Sequence, residues 1–200
     1  LELSGRIRGL LGTYWHSWED KTIADIGCGR GYWLEYFRGW GVPEKQLFGI
    51  DLDVSRLSRA RQTLVDSRLS CGDAKLLPFP DSVFDAVSQF TLFSSLKDPR
   101  VRSRVAGELL RVLKPGGLVI WHDFFIPNPL NRATRRVSRH EIRALFRNCE
   151  IEMIKVTLLA PLARALCRVS ESLIGAFERI PLLRTHYLAI IRKPAAPNFA

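Results

Sequence analysis

Within its 200 residues the chain has one methionine, four cysteines and four histidines. No apolar run approaches the ~18 residues that a membrane-spanning helix needs. Cys28, Cys71, Cys149 and Cys167 stand far apart, with no C-x-x-C pair and no histidine at ligand spacing, which argues against a zinc site. They read as free thiols of a reducing compartment. No charged-then-apolar segment opens the chain, so a cytosolic setting is expected. The first residue is Leu1 rather than Met, and the chain reads as a piece trimmed of some N-terminal helix. Acids are scarce in one half only. Residues 1–99 hold 12 Lys+Arg against 13 Asp+Glu, and residues 100–200 hold 18 against 7, so the net charge of +10 lies entirely in the second half.

What is present describes a globular domain. A chain of this length with 46% hydrophobic and 25% charged residues can bury a sizeable core. The densest basic cluster is Arg132, Arg135, Arg136, Arg139, Arg143 and Arg147. It is either a face for phosphates, on nucleic acid, anionic lipid or a small substrate, or a solvated surface.

Strand and helix patterns alternate along the chain. Strands are expected at 22–26, 46–51, 68–71, 83–90 and 118–125, and helices at 32–40, 54–66 and 100–113, the last ended by "KPGG". That order predicts an α/β fold, a mostly parallel doubly wound sheet with helices on both faces. "IPNPLNRATRRV" reads as a loop, and Ser138 with Glu141 as a capping box that starts a helix running to about residue 148. Two further strands are expected at 151–159 and 187–192. The stretch between them is too apolar for a plain loop, and only the tail "KPAAPNFA" lacks pattern.

The stretch "ADIGCGRG" puts Gly27, Gly29 and Gly31 on a strand-to-helix turn directly behind Asp25. Glycine permits positive φ and lets a ligand press on the main chain, and the helix start offers unpaired N–H groups. Asp25, Asp51 and Asp73 all fall at strand ends that share one rim, where ligands bind in such sheets. A dinucleotide site would explain the loop and Asp51 but wants G-x-G-x-x-G, whereas position 32 is Tyr32. An acid just before the loop repels phosphates and suits a ligand carrying an ammonium and a sulfonium.

The ordered motifs "ADIGCGRG", "GIDLD", "CGDAKLLPFPDSVFDAV" and "RVLKPGGLVI" resemble the class I S-adenosylmethionine-dependent methyltransferases, especially the branch acting on small molecules and lipids. The resemblance covers about residues 22–124. It implies a Rossmann-like seven-stranded sheet with an antiparallel last strand lying between its neighbours. It also implies one methyltransferase domain over 1–200, with a helical insertion at about 160–186. The implied cofactor is S-adenosylmethionine, leaving as S-adenosylhomocysteine. Asp25 and the backbone of Gly27, Cys28, Gly29 and Gly31 would then face the methionine part. Asp51 would hold both ribose hydroxyls, as a carboxylate accepts two bonds side by side. Asp73 and the Ala74 amide would read the adenine edge, Leu52 with Leu77 would enclose the ring, and Gln89 at the end of the fourth strand joins this rim. Cys28 is a small filler on this reading rather than a nucleophile. A weaker likeness, carried by "PNPLN" and "LAPLAR", is to methyltransferases of bacterial surface-polysaccharide pathways.

For the acceptor, His122 is the candidate base, with a structural role as the alternative. "SQFTLFSSL" after the fourth strand lacks the motif of amino-methylating nucleic-acid enzymes, so nucleic acid is disfavoured despite the charge. Leu162, Leu166, Leu173 and their neighbours recur at helical spacing beside Arg164 and Arg168. An apolar cap with a basic loop suits a saccharide, a lipid-linked substrate or another amphiphile, with peripheral membrane association in view. An RNA methyltransferase and a non-catalytic cofactor-binding scaffold are the competing readings, and the oligomeric state stays open.

Overall fold

A computed structural model of the chain describes residues 3–126, 134–158, 180 and 183–195. Seven strands form one sheet in the order β3-β2-β1-β4-β5-β7-β6. They are β1 (Ile23–Ile26), β2 (Leu47–Asp51), β3 (Arg68–Cys71), β4 (Phe84–Phe90), β5 (Leu113–Phe124), β6 (Glu150–Leu158) and β7 (Arg184–Arg192). The first five pair in parallel, and β7 runs antiparallel to both β5 and β6, as the family resemblance implies. Six helices surround the sheet: α1 (Leu3–Leu11), α2 (Tyr32–Gly39), α3 (Val54–Ala60), α4 (Leu92–Ser95), α5 (Pro99–Val112) and α6 (Arg139–Leu145).

Alternation along the strands divides the buried side chains between two cores. Ala24, Ile50, Val119 and Trp121 face one layer with Val105 and Leu109 of α5, while Ile23, Leu47, Leu118 and Ile120 face the other with Leu34 and Phe37 of α2. Buried on both faces, β1 reads I-A-D-I with no solvent-facing position, as parallel central strands do. Helix α1, which sequence periodicity left unassigned, places Ile7 and Leu11 in the second core.

Local chemistry explains the boundaries that differ from expectation. Helix α3 stops at Ala60 instead of running to 66, because Arg38 takes the Thr63 carbonyl and the Thr63 hydroxyl bonds Glu35. Strand β5 begins at Leu113, five residues early, since the chain passes straight from α5 into the sheet with Gly116 at φ 76°. Ser138 caps α6 through the Glu141 amide, but the Glu141 carboxylate leaves the capping box and bonds Arg102 at 2.6 Å. Strand β7 begins at Arg184, so Arg184, Thr185 and His186 belong to the sheet rather than to the expected insertion. The rest of that insertion, with Leu162, Leu166 and Leu173, lies outside the described residues except Ile180 and Leu183, and Arg132 lies outside them as well.

Candidate functional site

A cleft of about 410 Å³ opens at the C-terminal rim of the sheet. Gly27, Asp51, Leu52, Asp73 and Ala74 line one side, and Phe90, Thr91, Leu92, Ser95 and Leu96 the other. The first group contains five of the residues singled out by sequence. Asp51, at the end of β2, is buried, and its two oxygens accept the Gly29 and Asp53 amides, each at 2.8 Å. One acceptor direction on each oxygen stays available for a ligand, because an ionised carboxylate has about four. Asp73 accepts the Lys75 amide at 2.9 Å and pairs with its ammonium, which together hold its carboxyl below the ordinary value. Leu52 is exposed over the cleft, whereas Leu77 is sealed in the core and serves no ligand face.

The three loop glycines have different duties. A side chain on Gly29 (φ 55°) would meet nothing within 4 Å, so only its positive φ asks for glycine there. At Gly31 (φ 81°) a Cβ would come within 2.4 Å of Leu64, so bareness there admits a core leucine. Gly27 has positive φ and supports the Leu92 side chain.

Five expected cofactor residues, Asp25, Cys28, Gly29, Gly31 and Gln89, stand outside the cleft lining. Asp25 is buried and accepts the Ser88 hydroxyl at 2.7 Å. Burial pushes its pKa up to about 7, Ser88 opposes, and the Asp51 charge adds to the rise. Cys28 is buried, and its thiol is driven up first by burial and then by Asp25 and Asp51, so it is a protonated filler. Gln89 is fully buried and accepts the Leu92 amide at 3.1 Å, bracing the turn after β4. Gly31 serves packing, as above. Thr91 in that turn has φ 59°, a conformation β-branched residues rarely adopt, and its amide donates to the His122 carbonyl at 2.8 Å.

A line of rings leads away from the cleft along the rim. Phe90 stacks on Trp33 at 3.9 Å and reaches the His122 ring at 6.0 Å; His122 stacks on His186 at 4.6 Å, and His186 meets Phe124 at 3.9 Å. Burial and then His186 lower the His122 pKa to about 3, and burial lowers that of His186 to about 4, so both are neutral near pH 7. His122 Nε2 lies 3.2 Å from the Thr157 hydroxyl. Beside it, Asp123 accepts the Ser94 amide at 3.0 Å, and burial pushes its pKa up to about 6.

His186, Thr157 and Arg102 escaped the sequence reading. The signal for His186 was the spacing of His186, Leu188 and Ile190 on one face of β7. For a buried arginine in an amphipathic helix, sequence offers no cue.

Residues 24–121 match a family profile described as a methyltransferase domain. The chain belongs to the class I S-adenosylmethionine-dependent methyltransferases. Among curated relatives, a fatty-acid O-methyltransferase of Mycolicibacterium smegmatis is 30% identical over 158 residues, 72% of this chain and 56% of that protein. The ubiquinone/menaquinone biosynthesis C-methyltransferase UbiE of Saccharophagus degradans is 32% identical over 111 residues, covering 52% and 43%. The chain thus spans about half the length of the curated relatives it matches. A S-adenosylmethionine-dependent methyltransferase from Archaeoglobus fulgidus superposes with a TM-score of 0.69 at 17% identity, over 96% of this chain and 93% of that one. Among the described residues no helix is long and apolar enough to cross a membrane, and no cluster could hold a metal ion.

Proposed function

We propose that the chain binds S-adenosylmethionine in the cleft and transfers its methyl group to oxygen of a small amphiphilic acceptor. The observation that carries the donor half is the pairing of a buried, doubly braced Asp51 with an open, positive-φ Gly29 at one rim. The lining fits this cofactor chemically. Asp51, Asp53 and Asp73 place carboxylates toward a ligand that is cationic and rich in hydroxyls, and Leu52 offers an apolar surface for its base. When bound, the cofactor supplies an electrophilic methyl on a sulfonium. The protein's task is then alignment and water exclusion, which can account for most of the acceleration in an in-line displacement.

The acceptor half draws on the neutral ring line from Phe90 to Phe124 and on Arg135 and Arg136 of the loop that follows β5. Arg135 is exposed and directs its guanidinium to the Lys97 carbonyl, and Arg136 is exposed too. An acceptor with an apolar part and an anionic part suits both, and a saccharide or lipid-linked molecule belongs to this class. The named relatives act on fatty acids or in quinone biosynthesis, which supports an apolar acceptor. His122 was the candidate base, but a pKa of about 3 makes it a weak one, so it is proposed to orient the attacking oxygen. The cysteines Cys28, Cys71 and Cys149 are free thiols, in keeping with a cytoplasmic setting, and the basic loop suits contact with an anionic membrane surface.

The test is to incubate the purified chain with isotopically labelled S-adenosylmethionine and lipid, saccharide and RNA fractions of cell extracts, then follow the label by mass spectrometry. Label in an amphiphilic small molecule is expected. Label in RNA alone, with binding that falls steeply as salt rises, would replace this reading with a nucleic-acid one.

A further inference from the structure

The rim where β5 and β6 end and antiparallel β7 begins contains a four-residue polar group assembled from three strands. His122 and His186 stack with their planes 6° apart, Thr157 reaches His122 Nε2, and Thr185 lies 2.9 Å from His186 Nδ1. Thr157 has φ 61° inside a strand, a strained state for a β-branched residue, and such outliers gather at ligand sites.

The Thr185 contacts bear on which nitrogen of His186 carries the hydrogen. A hydroxyl has one proton to give. Thr185 gives it to the Thr157 carbonyl at 3.2 Å, an oxygen that can only accept. With that bond made, the Thr185 oxygen accepts at its other contact and Nδ1 of His186 carries the hydrogen; were Thr185 to donate to Nδ1 instead, the hydrogen would sit on Nε2. A neutral imidazole with Nδ1–H has a bare Nε2. Among the described residues nothing donates to that nitrogen, and the side chain retains a little accessible surface at the rim. Burial keeps the ring uncharged near neutral pH.

We propose that His186 is a specificity residue of the acceptor site: its bare Nε2 receives a hydrogen bond from a hydroxyl of the acceptor, selecting a neutral alcohol or phenol over a carboxylate. A carboxylate has no proton to offer this nitrogen and would lose hydration against an uncharged ring. His122 holds the ring by stacking, and Thr185 holds the tautomer. This assignment rests on the amphiphilic acceptor proposed above and narrows it to a hydroxyl-bearing one, in contrast to the acid substrate that the name of the Mycolicibacterium relative indicates.

The experiment uses the full chain saturated with S-adenosylhomocysteine and two probes of matched shape, 4-octylphenol and 4-octylbenzoate. Long-range nitrogen NMR of the imidazoles at pH 7 should show His186 protonated at Nδ1, and 4-octylphenol should shift the Nε2 signal. By calorimetry the phenol should bind about tenfold more tightly than the benzoate, the value of one well-made hydrogen bond. His186→Phe, which keeps a stacking ring, should remove that preference while S-adenosylhomocysteine affinity holds. Thr185→Val, a gentler change, should give a mixed tautomer and a partial loss. A proton on Nε2, an unresponsive Nε2, or equal binding of the two probes overturns the assignment alone. Binding of S-adenosylhomocysteine with neither probe binding overturns the amphiphilic acceptor and this assignment with it.

Discussion

Replacing Asp51 with alanine removes more than a ligand contact, and the size of the effect follows from its surroundings. In the free protein its carboxylate accepts two backbone amides at 2.8 Å, those of Gly29 and Asp53. The glycine loop and the turn into α3 are thus fastened to one side chain. Two ribose hydroxyls donating to it form charge-assisted bonds, each worth about 1.5–3 kcal/mol. Losing them costs about 3 kcal/mol or more, which is a factor of roughly 100 in affinity. Asp51→Ala also leaves two part-buried amides without an acceptor, lowering stability by about 1–3 kcal/mol. Calorimetric titration of S-adenosylmethionine and S-adenosylhomocysteine should show the same loss for both, because the ribose is common to them. Asp51→Asn should not rescue fully, since its NH₂ group would face one of the two backbone donors. Affinity within twofold of wild type in the alanine variant, with the fold intact, would refute the ribose assignment.

Three other variants test the remaining parts. The folded-state pKa of Asp25 lies near 7, above its ordinary 3.8, so its contribution to stability is complete below about pH 4 and is lost as pH rises through 7. Asp25→Asn, which can still accept from Ser88, should therefore add stability most above pH 7 and little at pH 4, by at most roughly 4 kcal/mol, read as a pH-dependent rise in melting temperature; a pH-independent change would mean that Asp25 is ionised throughout. His122→Ala should cut turnover at least tenfold while the dissociation constant of S-adenosylhomocysteine stays put, and a wild-type rate would show that alignment suffices without it. Arg135→Gln with Arg136→Gln should raise the acceptor's KM about threefold to tenfold without touching cofactor affinity, as expected when uniform binding is removed. Unchanged kinetics would return these arginines to the solvated surface.

The rim that forms the proposed donor half was legible because its signals are local. Gly27, Gly29, Gly31 and Asp51 sit at the ends of consecutive strands, and a strand-to-helix turn needs its special residues side by side. Sequence did not reveal how far each acid stands from the ligand. Asp25 alternates to the α2 face of β1 and meets Ser88, whereas Asp51, two residues longer in reach at the end of β2, enters the cleft lining. The residues proposed for the acceptor half were hidden for a topological reason. His122, Thr157 and His186 come from three strands widely separated in the chain, and only the insertion of antiparallel β7 between β5 and β6 brings them together. Ser138 caps α6 as its spacing from Glu141 predicts, but the Glu141 carboxylate does not complete the box, because Arg102 claims it in a tertiary contact that no local pattern encodes.

The end of β5 explains how two halves so differently encoded work at one rim. The main chain of His122 accepts the Thr91 amide and holds the strained turn that walls the donor cleft, while its side chain stacks on His186 toward the acceptor side. The next residue, Asp123, bonds the Ser94 amide of α4, and the Ser94 carbonyl accepts the Arg135 amide of the basic loop. Arg102, with its side chain almost fully buried, accommodates its charge by bonding Glu141 and the carbonyls of Leu96, Arg135 and Arg136. A buried guanidinium without such partners would be strongly destabilising, so the loop conformation and the burial of Arg102 require each other. The wall at Thr91–Leu96 and the loop at Arg135–Arg136 consequently share their supports. If donor and acceptor bind as proposed, the distance between them is set by the end of one strand rather than by two independent loops.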